Sequence, residues 1–501
     1  MSGVNLAGYL RTESGVGEAA RRTLRALRRA GLPVALADVS GLQVNRSEDP
    51  SLGGFDAGHP HDVNLVCADV ELHYALLAHL GEDFFRDRYN VGLWFWEQPR
   101  FPRGWFDRFA WYDEVWVASS FIAQALAPVS PIPVVRIPLV LTVGEPGSRE
   151  RGRRRLGVRP DELVYLFLFD VHSHPQRKNP LAVVEAFKQA FAPSDPVRLV
   201  LKCVNEQSRP EDLALLRRRA AGSSVAIETG YWTAEEIRDL TAACDAYVSL
   251  HRSEGVGLTL SDAMALGKPV IATGWSGNMD FMNAGNSYPV RYELVELAEN
   301  VGPYRAGDVW AEPSIEHAAE LMRRVFENPG EAAARGEAAR REIAACFSEE
   351  AVAGVITQRL EAIALRRRLP EFRRETRARY RHYRQGIGPI CEVVRRTVPA
   401  GDTVLVVSKG DDALLEVEDR KAWHFPRGED GRYAGYYPAD SAAAVAHLEA
   451  LRGEGAGFLL FPASAFWWLE HYRDFGRHLE TCSRVVHRDD HCLLFALHGG
   501  A

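Results

Sequence analysis

The chain has 501 residues, enough for roughly three domains with separate cores. Its composition, 46% hydrophobic and 25% charged, is that of an ordinary globular protein. The net charge of −7 argues against general nucleic-acid binding, which needs a basic footprint.

Taken in chain order, residues 1–150 alternate β-like runs with helical ones. "VNLAGYL" is a strand, "GEAARRTLRALRRAG" an amphipathic helix, and "PVALADV", "VNLVCADV", "NVGLWFWE" and "DEVWVAS" are further strands. Such alternation predicts a parallel, doubly wound α/β sheet. The pattern restarts across 151–360 with "LVYLFLFDV", helix "NPLAVVEAFKQAF", "VRLVLKCV", "VAIETG", helix "AEEIRDLTAAC", "AYVSLH" and "PVIATG". Residues 361–388 read as a basic helical linker. Its core, Arg366 to Arg384, is either a solvated connecting helix or a docking element for an anionic membrane surface or glycan. Residues 389–501 form a smaller α/β unit from "DTVLVVSKG", "KAWHFP", "GFLLFPA", "RVVHRD" and "CLLFAL".

No apolar run reaches the ~20 residues that cross a bilayer, and "MSGVNLAGYL" lacks the pattern of a secretory signal. Seven scattered cysteines without C-x-x-C read as reduced core thiols. The expected location is cytoplasmic, with peripheral attachment to the inner membrane face through the basic helix as the further option.

The strongest chemical signal is "HRSEGVGLTLSDAMALGKPVIATGWSGN". A buried strand leads to Glu254, two glycines and a helix starting near Leu258. Glycines let a ligand approach the backbone, and the first helical N–H groups suit a diphosphate. Glu254 and Asp262, eight residues apart across the turn, would address different parts of a long ligand. They are not placed to flank one bond.

This segment resembles the signature of retaining GT-B glycosyltransferases of family 4, in which two glutamates precede Ala-Met-Ala-x-Gly-x-Pro-Val-Ile-Ala-Thr. The resemblance implies two Rossmann-like domains facing a cleft and metal-independent transfer from a nucleoside-diphosphate sugar, a co-substrate and not a cofactor. The acceptor would be a saccharide or lipid-linked glycan. It also implies that Glu254 holds donor-sugar hydroxyls, that the backbone of Gly255, Val256, Gly257 and Leu258 meets the diphosphate, and that Asp262 grips the ribose. Asp262 is one methylene shorter than the family glutamate. In "FDVHSHPQRKN", Lys178 falls at the family's phosphate-binding lysine, while Ser173 holds the place of its arginine. Arg177 is the candidate replacement. No Asp-x-Asp metal site stands at a strand end, so no metal ligands are assigned.

Two segments belong to the opposite wall. "ESGVGEAARR" places Gly15 and Gly17 toward the donor phosphates, with Arg21 or Arg22 facing a phosphate or an anionic acceptor. A dinucleotide fingerprint ending on Asp38 is the weaker reading, because four residues separate strand from glycine. "LWFWEQPRFP" puts Trp96 and Glu97 where the family has a cleft histidine. They are the acceptor-side candidates, with Glu97 a hydroxyl-binding or proton-accepting carboxylate, and both tryptophans equally readable as core. Asp69, Glu71 and His73 are weaker acceptor-side candidates. In the last unit Trp423, His424, Tyr436, Trp467 and Trp468 are either core or a carbohydrate or partner surface, and "VSKGDD" has the look of a strand-end ligand loop. The rival function is a non-catalytic nucleotide-sugar or glycan-binding subunit on the same scaffold.

Overall fold

A computed structural model describes residues 3–55 and 58–497. They fall into two compact units that divide between Ala364 and Leu365.

The first unit carries two six-stranded sheets. One contains β1 (Val4–Gly8), β2 (Val34–Asp38), β3 (Val63–Cys67), β4 (Tyr89–Trp94), β5 (Glu114–Val117) and β6 (Val134–Arg136), in the order β2-β1-β3-β4-β5-β6. The other contains β7 (Leu163–Asp170), β8 (Val197–Val204), β9 (Val225–Glu228), β10 (Ala246–Ser249), β11 (Val270–Thr273) and β12 (Tyr288–Val290), in the order β12-β11-β10-β7-β8-β9. Neighbouring strands of both sheets run parallel. Helices cover both faces of such sheets, which is why β1, β3, β4 and β5 are buried at every position rather than at alternate ones. The doubly wound fold expected for both halves is the one observed. An antiparallel pair, β13 (Tyr292–Glu296) with β14 (Val309–Pro313), comes after the second sheet.

In the second sheet the chain leaves β7 toward β8 and later returns on its other side as β10. Ligands of open α/β sheets bind at this reversal, outside the carboxyl ends of the two strands. The loops after β7 and β10 hold the lysine and glutamate singled out above. In the first sheet the reversal lies between β1 and β3, and the segments after them carry Ser14–Gly17 and Asp69.

The end of the second half returns to the first. From Phe347 the chain is back against the first sheet's side: Leu141 N–H donates to Phe347 O at 2.9 Å, and Arg25 pairs with Glu349 at 3.1 Å. Residues 361–388, expected to be helical, are so. They lie within one helix, Glu349–Thr397, which continues through Pro370 and Pro389. Ion pairs one turn apart, Arg368 with Glu371 and Arg379 with Glu375, support the exposed part.

The second unit has β15 (Thr403–Val406), β16 (Lys421–His424), β17 (Ala456–Pro462), β18 (Ser483–Arg488) and β19 (Cys492–Leu497), in the order β16-β15-β17-β19-β18. The first three are parallel, and β19 runs against both its neighbours. Side-chain alternation splits its core in two. Leu405 and Val407 join the layer of Phe425, Trp468 and Phe475, while Val404 and Val406 join that of Ile390, Val394 and Leu494.

Candidate functional site

The loops after β7 and β10 are stitched to each other. Arg252 N–H donates to Arg177 O at 2.8 Å, and Arg177 Nη1 donates to Ser253 O, also at 2.8 Å. This fixes Arg177 beside Glu254, with Nη1 3.4 Å from Oε2, while Lys178 Nζ lies 2.5 Å from Oε1. Glu254 is 7% exposed. Burial works to raise its pKa, but Lys178 and Arg177 outweigh burial and hold the carboxylate down at about 2. Arg177 therefore stands with Lys178 on one carboxylate, which the sequence left undecided. Ser173, at the family's arginine position, sits in a short turn before His174.

Beyond Glu254 the backbone turns through Gly257, whose φ of 92° is open to glycine at little cost, and enters the helix Leu258–Ala265. The neighbouring loop packs so closely that a Cβ on Gly277 would lie 1.9 Å from Gly255 O. Glu254 N–H donates to the hydroxyl of Ser276, a residue held at φ 81°, where a side chain is strained.

The other wall reaches this loop through polar contacts. Ser119 Oγ donates to Gly255 O at 2.6 Å, Ser253 Oγ donates to Glu97 O, and Asp280 accepts Ser120 N–H at 2.8 Å. Asp262, at 29% side-chain exposure, is met by Arg22 Nη2 at 2.6 Å, and Arg22 Nε also donates to Glu18. Burial raises the Asp262 pKa against the pull of Arg22. Arg21 faces elsewhere: it is buried, donates to Leu10 O and Thr12 O, and pairs with Asp49 at 3.3 Å. Its guanidinium organises the β1 loop, so the expected contact of Arg21 with an acceptor is not what the structure presents. Gly17 closes the same loop, since a Cβ there would lie 2.2 Å from Thr12 O, whereas a Cβ on Gly15 would meet nothing. Asp38 is engaged by Leu10 N–H and Arg11 and does not stand open for a dinucleotide ribose.

Trp96 is 3% exposed, with its indole N–H donating to Arg100 O at 2.7 Å and its ring against Trp105 and Tyr304. It packs as core and presents no free face to an acceptor. Glu97 is joined to the second half by Tyr304, whose hydroxyl donates to Oε2 at 3.1 Å. Burial first, and then the acidic Glu97 and Glu254 against Arg177, leave Tyr304 firmly protonated. Asp69, at the end of β3, accepts the Gln43 amide, and its pKa rises to about 7 through burial and the charges of Glu97 and Glu71. His73 is buried and is held down at about 4, chiefly by burial.

Tyr304, Asp170 and Asn45 were not singled out from the sequence. Asp170 ends β7 and accepts Asn45 Nδ2 at 2.7 Å and Asn205 Nδ2 at 2.8 Å. Its place at the strand end was the one available signal. Tyr304 lies in a segment with no motif.

Residues 148–342 match the family model of glycosyl transferases group 1. Solved structures share the two-sheet fold. Sucrose-phosphate synthase from Thermosynechococcus elongatus aligns with a TM-score of 0.53 and 16% identity, over 73% of this chain and 100% of that one. Anabaena Alr3699/HepE, in complex with UDP and glucose, gives 0.51 and 16% over 72% and 100%. A glycosyltransferase from Rickettsia africae ESF-5 gives 0.51 and 16% over 72% and 99%. The first unit thus has the GT-B fold of these enzymes. No curated protein matches the chain in sequence.

Proposed function

We propose that the chain is a glycosyltransferase that moves a sugar from a nucleoside-diphosphate sugar to a saccharide or lipid-linked glycan, with retention and without a metal ion. The observation that carries this reading is the convergence of Lys178 and Arg177 on Glu254 at the β7/β10 reversal, within the segment that matches the family model. The solved relative with UDP and glucose points to the same donor chemistry.

In this reading the donor lies along the loop after β10. Glu254 accepts hydroxyls of the transferred sugar, and the Gly255–Leu258 backbone receives the diphosphate with the help of the helix dipole. Asp262 takes the ribose. Lys178 and Arg177 stabilise the charge that grows on the departing phosphate, the role that a metal fills elsewhere. The glycosidic C1–O bond to phosphate breaks as the acceptor oxygen bonds to C1 from the same face. The acceptor proton passes to the departing phosphate oxygen, and the Glu97 carboxylate orients the acceptor hydroxyl.

Among the described residues no helix is long and apolar enough to cross a membrane. The exposed stretch Arg366 to Arg384 holds nine arginines against two glutamates, and Leu365, Leu369 and Tyr380 stand exposed on or beside it. Basic and apolar groups together suit an anionic lipid surface, where a lipid-linked acceptor would reside.

Thermal-shift screening against UDP-, GDP-, ADP- and dTDP-sugars, followed by donor hydrolysis with wild type and Glu254→Gln, tests the assignment. Stabilisation by one donor and turnover lost in the variant are expected. No shift with any donor would overturn the donor site. The second reading, a non-turning-over binding subunit, draws on Trp96 and Glu97 standing where the family has its cleft histidine, and predicts nucleotide binding with no hydrolysis or transfer.

A further inference from the structure

The carboxyl edge of the second unit's sheet brings together groups that the proposed transfer does not use. The chain leaves β15 toward β16 and comes back on the other side as β17, so the loops after β15 and β17 part and leave a crevice. After β15, Lys409 and Gly410 take consecutive positive φ values of 53° and 83°, which turns the chain sharply over the strand end. The next element is a single 3-10 turn, Asp412–Leu415, preceded by Asp411. The carboxylates of Asp411 and Asp412 beside this turn work against an anionic nucleotide as its ligand.

Three side chains form a relay at this edge. Ser408 Oγ lies 2.6 Å from His424 Nδ1, and His424 Nε2 lies 3.1 Å from Asp412 Oδ1. The order is that of a hydrolytic triad, but the exposures are inverted. Ser408 is 2% exposed, while the Asp412 side chain is 86% exposed. Gly410 N–H donates to Ser408 Oγ, and the Asp412 carboxylate, which can only accept, fits a proton on His424 Nε2 and leaves Nδ1 to the Ser408 hydroxyl. The relay holds a carboxylate out to solvent and offers no nucleophile.

Beside it lies an aromatic wall. Trp467, after β17, and Tyr437 meet edge to face at 5.3 Å, and both are exposed, as is Tyr436. Lys409 Nζ donates to Ser464 O at 2.8 Å and sits 5.8 Å from the Trp467 ring. Tyr433 closes the gap to the relay, packing on Gly410 and on the His424 ring at 6.1 Å.

We propose that this edge is a saccharide-binding site, separate from the donor site. Sugar rings present C–H faces to aromatic rings and hydroxyls to fixed donors and acceptors. The Trp467–Tyr437 wall supplies the first, and Lys409 beside the Trp467 ring and Asp412 on the His424 side of the loop supply the second. An aromatic wall alone would suit a protein partner equally. The opposed charges that the loop after β15 carries, Lys409 and Asp412, favour a neutral, hydroxyl-rich ligand.

The test uses the full chain on an array of glucose, galactose, mannose, rhamnose and N-acetylglucosamine oligosaccharides, with titration of the best binder by tryptophan fluorescence. Trp467→Ala is expected to weaken that binding by about tenfold or more, and Asp412→Asn, at a fully solvated position, to weaken it with the fold intact by circular dichroism. Both variants keep the donor-induced thermal shift, and Lys178→Ala keeps the oligosaccharide binding. Absence of binding to every oligosaccharide, wild-type binding by both variants, or loss of binding in Lys178→Ala would each overturn the site. Retention of a protein without any oligosaccharide would do the same. Loss of the donor shift alone bears on the transferase reading and leaves this site standing.

Discussion

Lys178 Nζ and Glu254 Oε1, 2.5 Å apart, tie the first turn after β7 to the glycine loop after β10. Arg177 stands on the other oxygen of the same carboxylate. Two cations thus meet on one buried carboxylate, and they are the groups a diphosphate would engage. Lys178→Ala is expected to lower transfer by roughly 10²–10³-fold, the usual effect of removing one preorganised transition-state donor. Arg177→Lys should fall short of wild type as well, because the lysine side chain ends one bond short of the Nη1 position that meets both Ser253 O and the carboxylate. Steady-state donor hydrolysis reads both.

The depressed Glu254 pKa also sets an acid limit. Its stabilising share is complete above the ordinary value of 4.5 and is lost as pH falls toward about 2. Glu254→Gln should therefore flatten the acid side of the melting-temperature profile relative to wild type.

Arg22 and Asp262 make the second link across the cleft. Asp262→Asn should weaken nucleotide binding by about tenfold, the value of a charge-assisted hydrogen bond. Arg21→Ala should cost less nucleotide affinity than Asp262→Asn while loosening the β1 loop, because its partners are Leu10, Thr12, Asp49 and Glu18 and not Asp262. Isothermal titration with the donor nucleotide separates the two. Equal losses in both variants would place Arg21 in the site after all.

The contrast between these neighbouring arginines marks where sequence stops informing. Strand alternation and the glycine turn are local patterns, so both doubly wound sheets and the loop after β10 were legible. Adjacent positions on a helix point about 100° apart, and which one faces a partner 240 residues away is set by packing. Trp96 was ambiguous for the same reason: alternation gives its face, not what covers that face. Tyr304 was invisible because its segment has no periodic or glycine signal and gains meaning only by meeting Glu97.

Stability of the first unit should hinge on Glu114, whose side chain is fully buried on β5. It accepts Trp116 Nε1 at 2.6 Å and Tyr89 OH at 3.0 Å, and Arg359 from the returning helix balances its charge. Arg359→Met would leave that charge unpaired, at a cost of roughly 3–5 kcal/mol. Adding Glu114→Gln should recover much of the loss, because an amide needs no counter-charge. Urea denaturation monitored by tryptophan fluorescence compares the single and double variants, and a double variant no better than the single would show the contact to be peripheral.

Asp69 carries the opposite pH signature from Glu254. Burial, with Glu97 and Glu71 nearby, holds its pKa at about 7, well above the ordinary 3.8. Between those two values the folded chain retains a proton that the unfolded chain has released. Stability from this group is thus present at low pH and declines as pH rises toward 7. Asp69→Asn removes the ionisation, and the Gln43 amide can still pair with the new side chain. The variant should therefore match wild type near pH 4 and melt higher near pH 8. Melting profiles across that range decide it, and a variant that melts lower at pH 8 would mean that Asp69 is ionised and paired in the folded chain.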